Sequence, residues 1–144
     1  MDKKHHECQE KLLKIGRRLG FESRRDVKGK MYELGCPDCV WYYKGTGKEE
    51  LARIARGDGY KYIPFIAFEV AFSEDEKGLR GSMMSLQLTN AAASVIVLMG
   101  KSLKLKPKLK KMFGRYSYMR YRIWTRRDVN TLYKKVMKKY PKSA

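Results

Sequence analysis

At 144 residues, with a hydrophobic share of 43% and 33% of its residues charged, the chain is long enough to bury a core and too short for two comfortable domains. Its 33 basic and 15 acidic residues leave a net charge of +18, beyond what solubility requires, so a polyanion is the expected partner and nucleic acid the commonest one. No stretch reaches transmembrane length, Met1 to His6 lacks a signal peptide's apolar centre, and three cysteines form no secretory disulfide framework, which argues against a membrane span and for a cytoplasmic protein.

From Lys3 to Leu19, Cys8, Leu12, Ile15 and Leu19 recur at helical spacing on an otherwise charged segment, and Gly20 is a natural stop. Glu7 sits beside that stripe. Phe21 to Val27 reads as a strand of edge character, interrupted by Arg24, Arg25 and Asp26. Pro37 ends a loop, and Asp38 to Tyr43 is a strong strand candidate with Asp38, Val40 and Tyr42 on one side. The glycine-rich connection that follows has room for a short helix across Glu49 to Arg56.

Tyr62 to Phe72 is almost wholly apolar and rich in aromatic and β-branched residues, the pattern of a buried strand. Its one carboxylate, Glu69, shares a face with Ile63, Phe65, Ala67 and Ala71; Ile66, Phe68, Val70 and Phe72 form the other. A carboxylate in such company has to be paired, protonated or bound to a metal. If the two acid-bearing strands are antiparallel neighbours, Asp38 at the start of one meets Glu69 at the end of the other.

Ser73 with Glu76 has the spacing of a capping box, opening a helix to about Ala93 with Lys77, Arg80, Met84, Gln87 and Ala91 along one face. Ser94 to Met99 is a short buried strand, so strand, helix and strand make a parallel crossover. Lys101 to Lys111 alternates lysine with leucine around Pro107, favouring a basic loop with a short helical piece. Tyr121 to Trp124 is the last strand, and Thr125 with Asp128 caps a final helix that buries Val129, Leu132, Tyr133, Val136, Met137 and Tyr140.

This order of elements, with Glu7 on the first helix, Pro37-Asp38 opening the second strand and Glu69 ending the third, resembles the PD-(D/E)XK nuclease superfamily over about residues 3–99. The compact basic layout is most similar to archaeal Holliday junction resolvases and related small endonucleases. The resemblance implies an α/β fold: a restriction-endonuclease-like αβββαβ core with a mixed central sheet flanked by helices, extended over about residues 100–144 by a basic strand and helix, all in one domain. It further implies a structure-selective endodeoxyribonuclease that forms a homodimer and uses no small-molecule cofactor. Asp38 and Glu69 would bind Mg²⁺ or Mn²⁺, with Glu7 as an outer or second ligand. Clustered acids suit that chemistry, because a cation held by carboxylates neutralises phosphate oxygens and acidifies water.

The pattern breaks at Ala71, which stands two residues past the second acid, where the family has a lysine. Lys77 and Arg80 are the plausible substitutes, Lys28 and Lys30 weaker ones, and Gln87 matches a helical Gln near the site in related nucleases. Arg17, Arg18, Arg24, Arg25, Lys28, Lys30, Lys101, Lys104 and the tail lysines are phosphate contacts giving salt-dependent affinity with little base specificity. Tyr116, Tyr118 and Tyr121 are candidates for base stacking, and residues between Leu103 and Trp124 for the dimer interface. Two other readings stand beside the nuclease. Ala71 favours a DNA-binding protein with the nuclease fold and no activity. His5, Cys8, Cys36 and Cys39, with the two-residue gap of a zinc knuckle in Cys36-Pro-Asp-Cys39, allow a zinc-stabilised nucleic-acid-binding module.

Overall fold

The computed structural model describes residues 3–25, 37–44, 62–115 and 120–142. Lys28, Lys30, Cys36, Tyr116, Tyr118 and the helix expected across Glu49 to Arg56 lie outside the described residues.

Helix α1 (Lys3–Arg18) leads into β1 (Glu22–Arg25), β2 (Cys39–Lys44) and β3 (Tyr62–Ala71). Helix α2 (Glu76–Thr89), β4 (Ala93–Leu98), a 3-10 helix (Gly100–Leu105), α3 (Lys106–Arg115), β5 (Tyr121–Thr125) and α4 (Arg126–Lys139) follow among the described residues. The five strands form one mixed sheet in sequence order, with β1, β2 and β3 antiparallel and β3, β4 and β5 parallel. The protein is thus α/β, with helices covering both faces of an open sheet. Among the described residues no helix is long and apolar enough to cross a membrane.

One layer of core lies between the sheet and the α1–α4 pair. There Cys8, Leu12 and Ile15 meet Cys39, Trp41, Phe68, Val70, Val95 and Val97, and Val129 and Val136 close the layer from α4. The other layer, under α2 and α3, joins Val40, Ala67, Ala71, Ile96 and Leu98 to Leu79, Leu86, Leu105, Leu109 and Phe113. Alternate residues of β4 therefore enter opposite layers, the reason that strand reads as a continuous apolar run.

Several expectations are corrected. Helix α2 opens at Glu76, capped by Asp75, whose Oδ1 accepts from the Gly78 backbone N–H at 2.9 Å; a carboxylate next to the first turn satisfies a free N–H better than Ser73 two residues upstream. The expected facing of β3 fails at its start, because Trp41 pairs with Ile66 and Tyr42 with Pro64. Phe65 is the extra residue of a β-bulge beside a proline that has no N–H to donate, and its ring stacks on Phe21, 5.4 Å between centroids.

Residues 101–115 are helical throughout rather than mainly loop. Pro107 occupies the first turn of α3, where a missing N–H costs nothing. Leu105, Leu109, Phe113 and Tyr121, four of the residues expected to face a second subunit, are buried in the second core layer, whereas Leu103 is exposed. Tyr121 stacks on Phe113 at 4.5 Å and presents no open face for a base.

Candidate functional site

Antiparallel pairing runs Cys39 opposite Phe68, so the next step outward sets Asp38 across from Glu69. The two carboxyls lie close enough for each to act directly on the other's titration. Asp38 Oδ2 accepts from the Val70 backbone N–H at 2.7 Å, and Oδ1 accepts from Gln9 Nε2 at 2.9 Å. Both oxygens are therefore oriented, one by the neighbouring strand and one by α1.

His5 stands one turn before Gln9 on the same side of α1. Its Nε2 donates to the Val70 carbonyl at 2.8 Å and lies 3.8 Å from Asp38 Oδ2. Because a carbonyl only accepts, Nε2 carries the proton. Gln9 is buried, and the His5 side chain is 14% exposed, so the contacts are made away from bulk water. On the other side of the sheet, Ser82 from the inward face of α2 lies close enough to Glu69 to favour its charged form.

Burial raises the Glu69 carboxyl to about 9, with the neighbouring Asp38 acting in the same direction and Ser82 opposing them. Asp38 is also raised by burial, against the opposing effects of the Val70 N–H, His5, Glu69 and Gln9. Two carboxylates this close resist ionising together, so burial and mutual repulsion both favour a protonated form of the pair. Glu74, just beyond β3, adds to the rise at Glu69, and its Oε2 is buried with no hydrogen-bond partner among the described residues.

The 3-10 helix docks against the chain just past Glu69. Met99 donates to the Ala71 carbonyl at 2.8 Å, Ser102 N–H to the Phe72 carbonyl at 3.3 Å, and the Ser102 hydroxyl to the Glu74 carbonyl at 3.2 Å. Gly100 makes this approach possible: its φ is +52°, and a Cβ there would meet the Phe72 carbonyl oxygen at 2.9 Å. The same turn carries exposed Lys101 and Lys104, at the end of the sheet where the acids lie.

Other expected site residues do not join the acids. Glu7 is turned toward α4, 3.9 Å from Arg126, with its side chain 45% exposed. Lys77, Arg80 and Gln87 are exposed on α2 because Leu79 and Leu86, one heptad apart, take the buried side. Arg80 pairs there with Glu76 at 3.2 Å. Ala71 is fully buried in the second core layer. Arg17 and Arg18 are about 18 Å along α1 from His5, at 1.5 Å per residue; Arg18 donates to the Tyr140 carbonyl and Arg25 binds Glu10, while Arg24 lies 3.5 Å from Glu22.

Among the described residues, no three His, Cys, Asp or Glu side chains are grouped so as to hold one metal ion. Of the zinc candidates, Cys8 and Cys39 belong to the apolar layer under α1, and burial pushes their thiols up to about 11 and about 12. His5 is taken by Val70 and Asp38. Gln9, Ser82 and Glu74 were missed in the sequence. The available signal was weak: Ser82 lies between Leu79 and Leu86, and Gln9 lies next to Cys8, each a polar residue at the edge of a buried stripe. Comparison with protein-family models, curated proteins and solved structures finds no match to this chain.

Proposed function

We propose that the protein is a divalent-metal-dependent endonuclease of PD-(D/E)XK type that cuts DNA with selectivity for branched structure, and that Asp38 and Glu69 are its metal ligands. The observation that carries the reading is the pair of buried acids Asp38 and Glu69, set opposite each other where two antiparallel strands meet, in a strongly basic chain. The donor set fits a hard cation: two carboxylates that, without one, are kept from ionising together, and oxygen atoms as the donors. Mg²⁺ or Mn²⁺ held there would supply positive charge to the phosphate oxygens and acidify water.

The chain's own groups have separate tasks. Gln9 and the Val70 N–H aim the two oxygens of Asp38, His5 holds the Val70 carbonyl and so the end of β3, and Ser82 favours the charged form of Glu69. Lys101 and Lys104 contact the DNA backbone beside the acids. The element order, with three antiparallel strands followed by a parallel crossover, supports the nuclease-like core.

A second reading, a nuclease-fold protein that binds DNA without cutting it, is favoured by Ala71 being sealed in the core and by Lys77 and Arg80 facing outward. Incubation of four-way junction, flap and linear duplex DNA with Mg²⁺ or Mn²⁺ separates the two. The wild type is expected to cleave the branched substrates. Asp38→Ala and Glu69→Ala should lose at least about a hundredfold in rate, and Gln9→Ala about 10–100-fold because a metal ligand is then no longer oriented. Intact substrates in every wild-type reaction, with retained binding, would establish the second reading.

A further inference from the structure

At the end of the sheet away from the acids, aromatic rings gather on the α1 side. Trp41 is buried there, its Nε1 donating to the Leu12 carbonyl at 2.9 Å. Phe21 stacks on it with ring centroids 5.7 Å apart and planes 12° from parallel, and Phe65 stacks on Phe21 at 5.4 Å and 21°. Tyr43 leans against this row, 5.4 Å from Phe21 and 4.8 Å from Phe65. Packing of the core explains the inner rings. It does not explain the outer ones: the bulge in β3 sets Phe65 at the rim, only partly buried, and Tyr43 is 52% exposed.

The surroundings of these rings are cationic. Helices α1 and α4 run side by side in the same direction, since Glu7 meets Arg126, Lys11 meets Asn130 and Arg18 meets the Tyr140 carbonyl. Their last turns therefore reach this end together and bring Arg17, Arg18, Lys138 and Lys139. Gly20, with a φ of +94°, then reverses the chain, and the Phe21 N–H donates to the Gly16 carbonyl at 2.9 Å, which sets Phe21 one turn from Arg17. We propose that this corner binds unpaired bases of a DNA strand, with Phe65 and Tyr43 as the stacking residues and Arg17 as a phosphate contact. A row of near-parallel rings offers a flat face on which a base continues the stack, and the cations beside it meet the phosphates. Bases within a duplex already stack on one another, so a duplex gains the phosphate contacts alone. Tyr43 stands five residues along β2 from Asp38, about 17 Å, so the corner is a second subsite distinct from the acid pair. The choice of DNA rests on the proposed function; the stacking does not depend on hydrolysis.

Fluorescence anisotropy of the full chain in chelator tests this with an oligothymidylate, an abasic strand of the same length and a blunt duplex as labelled probes. Chelator stops any cleavage, so a failure of the nuclease reading leaves this measurement intact. The wild type should bind oligothymidylate at least about tenfold tighter than the abasic strand, the effect of one stacked base. Tyr43→Ala and Phe65→Leu should each remove most of that preference and leave affinity for the abasic strand and the duplex nearly unchanged, because the phosphate contacts remain. Leucine keeps apolar bulk at the bulge, and unaltered melting curves would show that both variants fold. Arg17→Ala should instead weaken the two single strands alike and lower the salt slope by about 0.7. Leu88→Ala, at an exposed apolar residue on α2, should keep the full preference. Equal wild-type affinity for the two single strands, or a preference that survives both ring variants, would overturn the proposal and leave the rings to a protein partner.

Discussion

At Glu69, burial and the adjacent Asp38 charge act in the same direction, moving the carboxyl from its ordinary 4.5 to about 9. Folding of the metal-free protein therefore takes up a proton between those two values. The stabilisation is fully present below the unfolded value and is lost as pH rises through the folded one. Glu69→Gln removes that dependence. Melting temperatures measured across this range in chelator should fall with pH more steeply for wild type than for the variant, and the variant should be the more stable near the upper end. Parallel curves would contradict a raised Glu69 carboxyl. The acids were legible in the sequence because a carboxylate within an apolar strand is conspicuous and antiparallel pairing fixes its neighbour. Their helical supports were not: on α1 and α2 each step in sequence rotates a side chain by about 100°. Periodicity alone did not decide whether the Lys77–Arg80–Gln87 stripe or the Leu79–Ser82–Leu86 stripe faced the sheet.

Helix α1 reaches β2 through Gly16, a residue whose importance only packing reveals. A Cβ there would come within 2.5 Å of Trp41 Cδ1 and Nε1 and 2.8 Å of Ser23 Oγ. Trp41 Nε1 donates to the Leu12 carbonyl at 2.9 Å, fixing the indole against the helix. Gly16→Ala should therefore destabilise the protein by about 1–3 kcal/mol through overpacking, despite the better helix propensity of alanine; urea unfolding measures it, and a gain in stability would show that the helix can lift without penalty. The strands and the outer helices were readable from apolar runs and stripes, and the Thr125–Asp128 start of α4 from its residues: Asp128 Oδ2 accepts from the Thr125 backbone N–H at 2.7 Å. The bulge at Phe65 was not readable, since period-two alternation assumes an unbroken ladder. Nor was α3, because a proline that breaks a helix interior is harmless in its first turn.

For the whole molecule, charge distribution gives the clearest expectation. The logarithm of DNA affinity should fall linearly with the logarithm of salt concentration, and Lys101→Ala with Lys104→Ala should reduce the slope by about 2, near 0.9 for each phosphate no longer neutralised. An unchanged slope would remove that turn from the binding surface. Composition foretold the sign of the field, but not where it meets open aromatic rings, because Phe21, Tyr43 and Phe65 come together only through strand pairing and the bulge. The outermost strands β1 and β5 are also short, at 4 and 5 residues, and carry Arg24, Arg25 and Arg122. Guanidinium groups on both of these strands oppose the addition of a further strand. Growth by sheet extension into fibrils is thereby discouraged at each side, and crowded solutions of this protein should hold discrete particles instead of filaments.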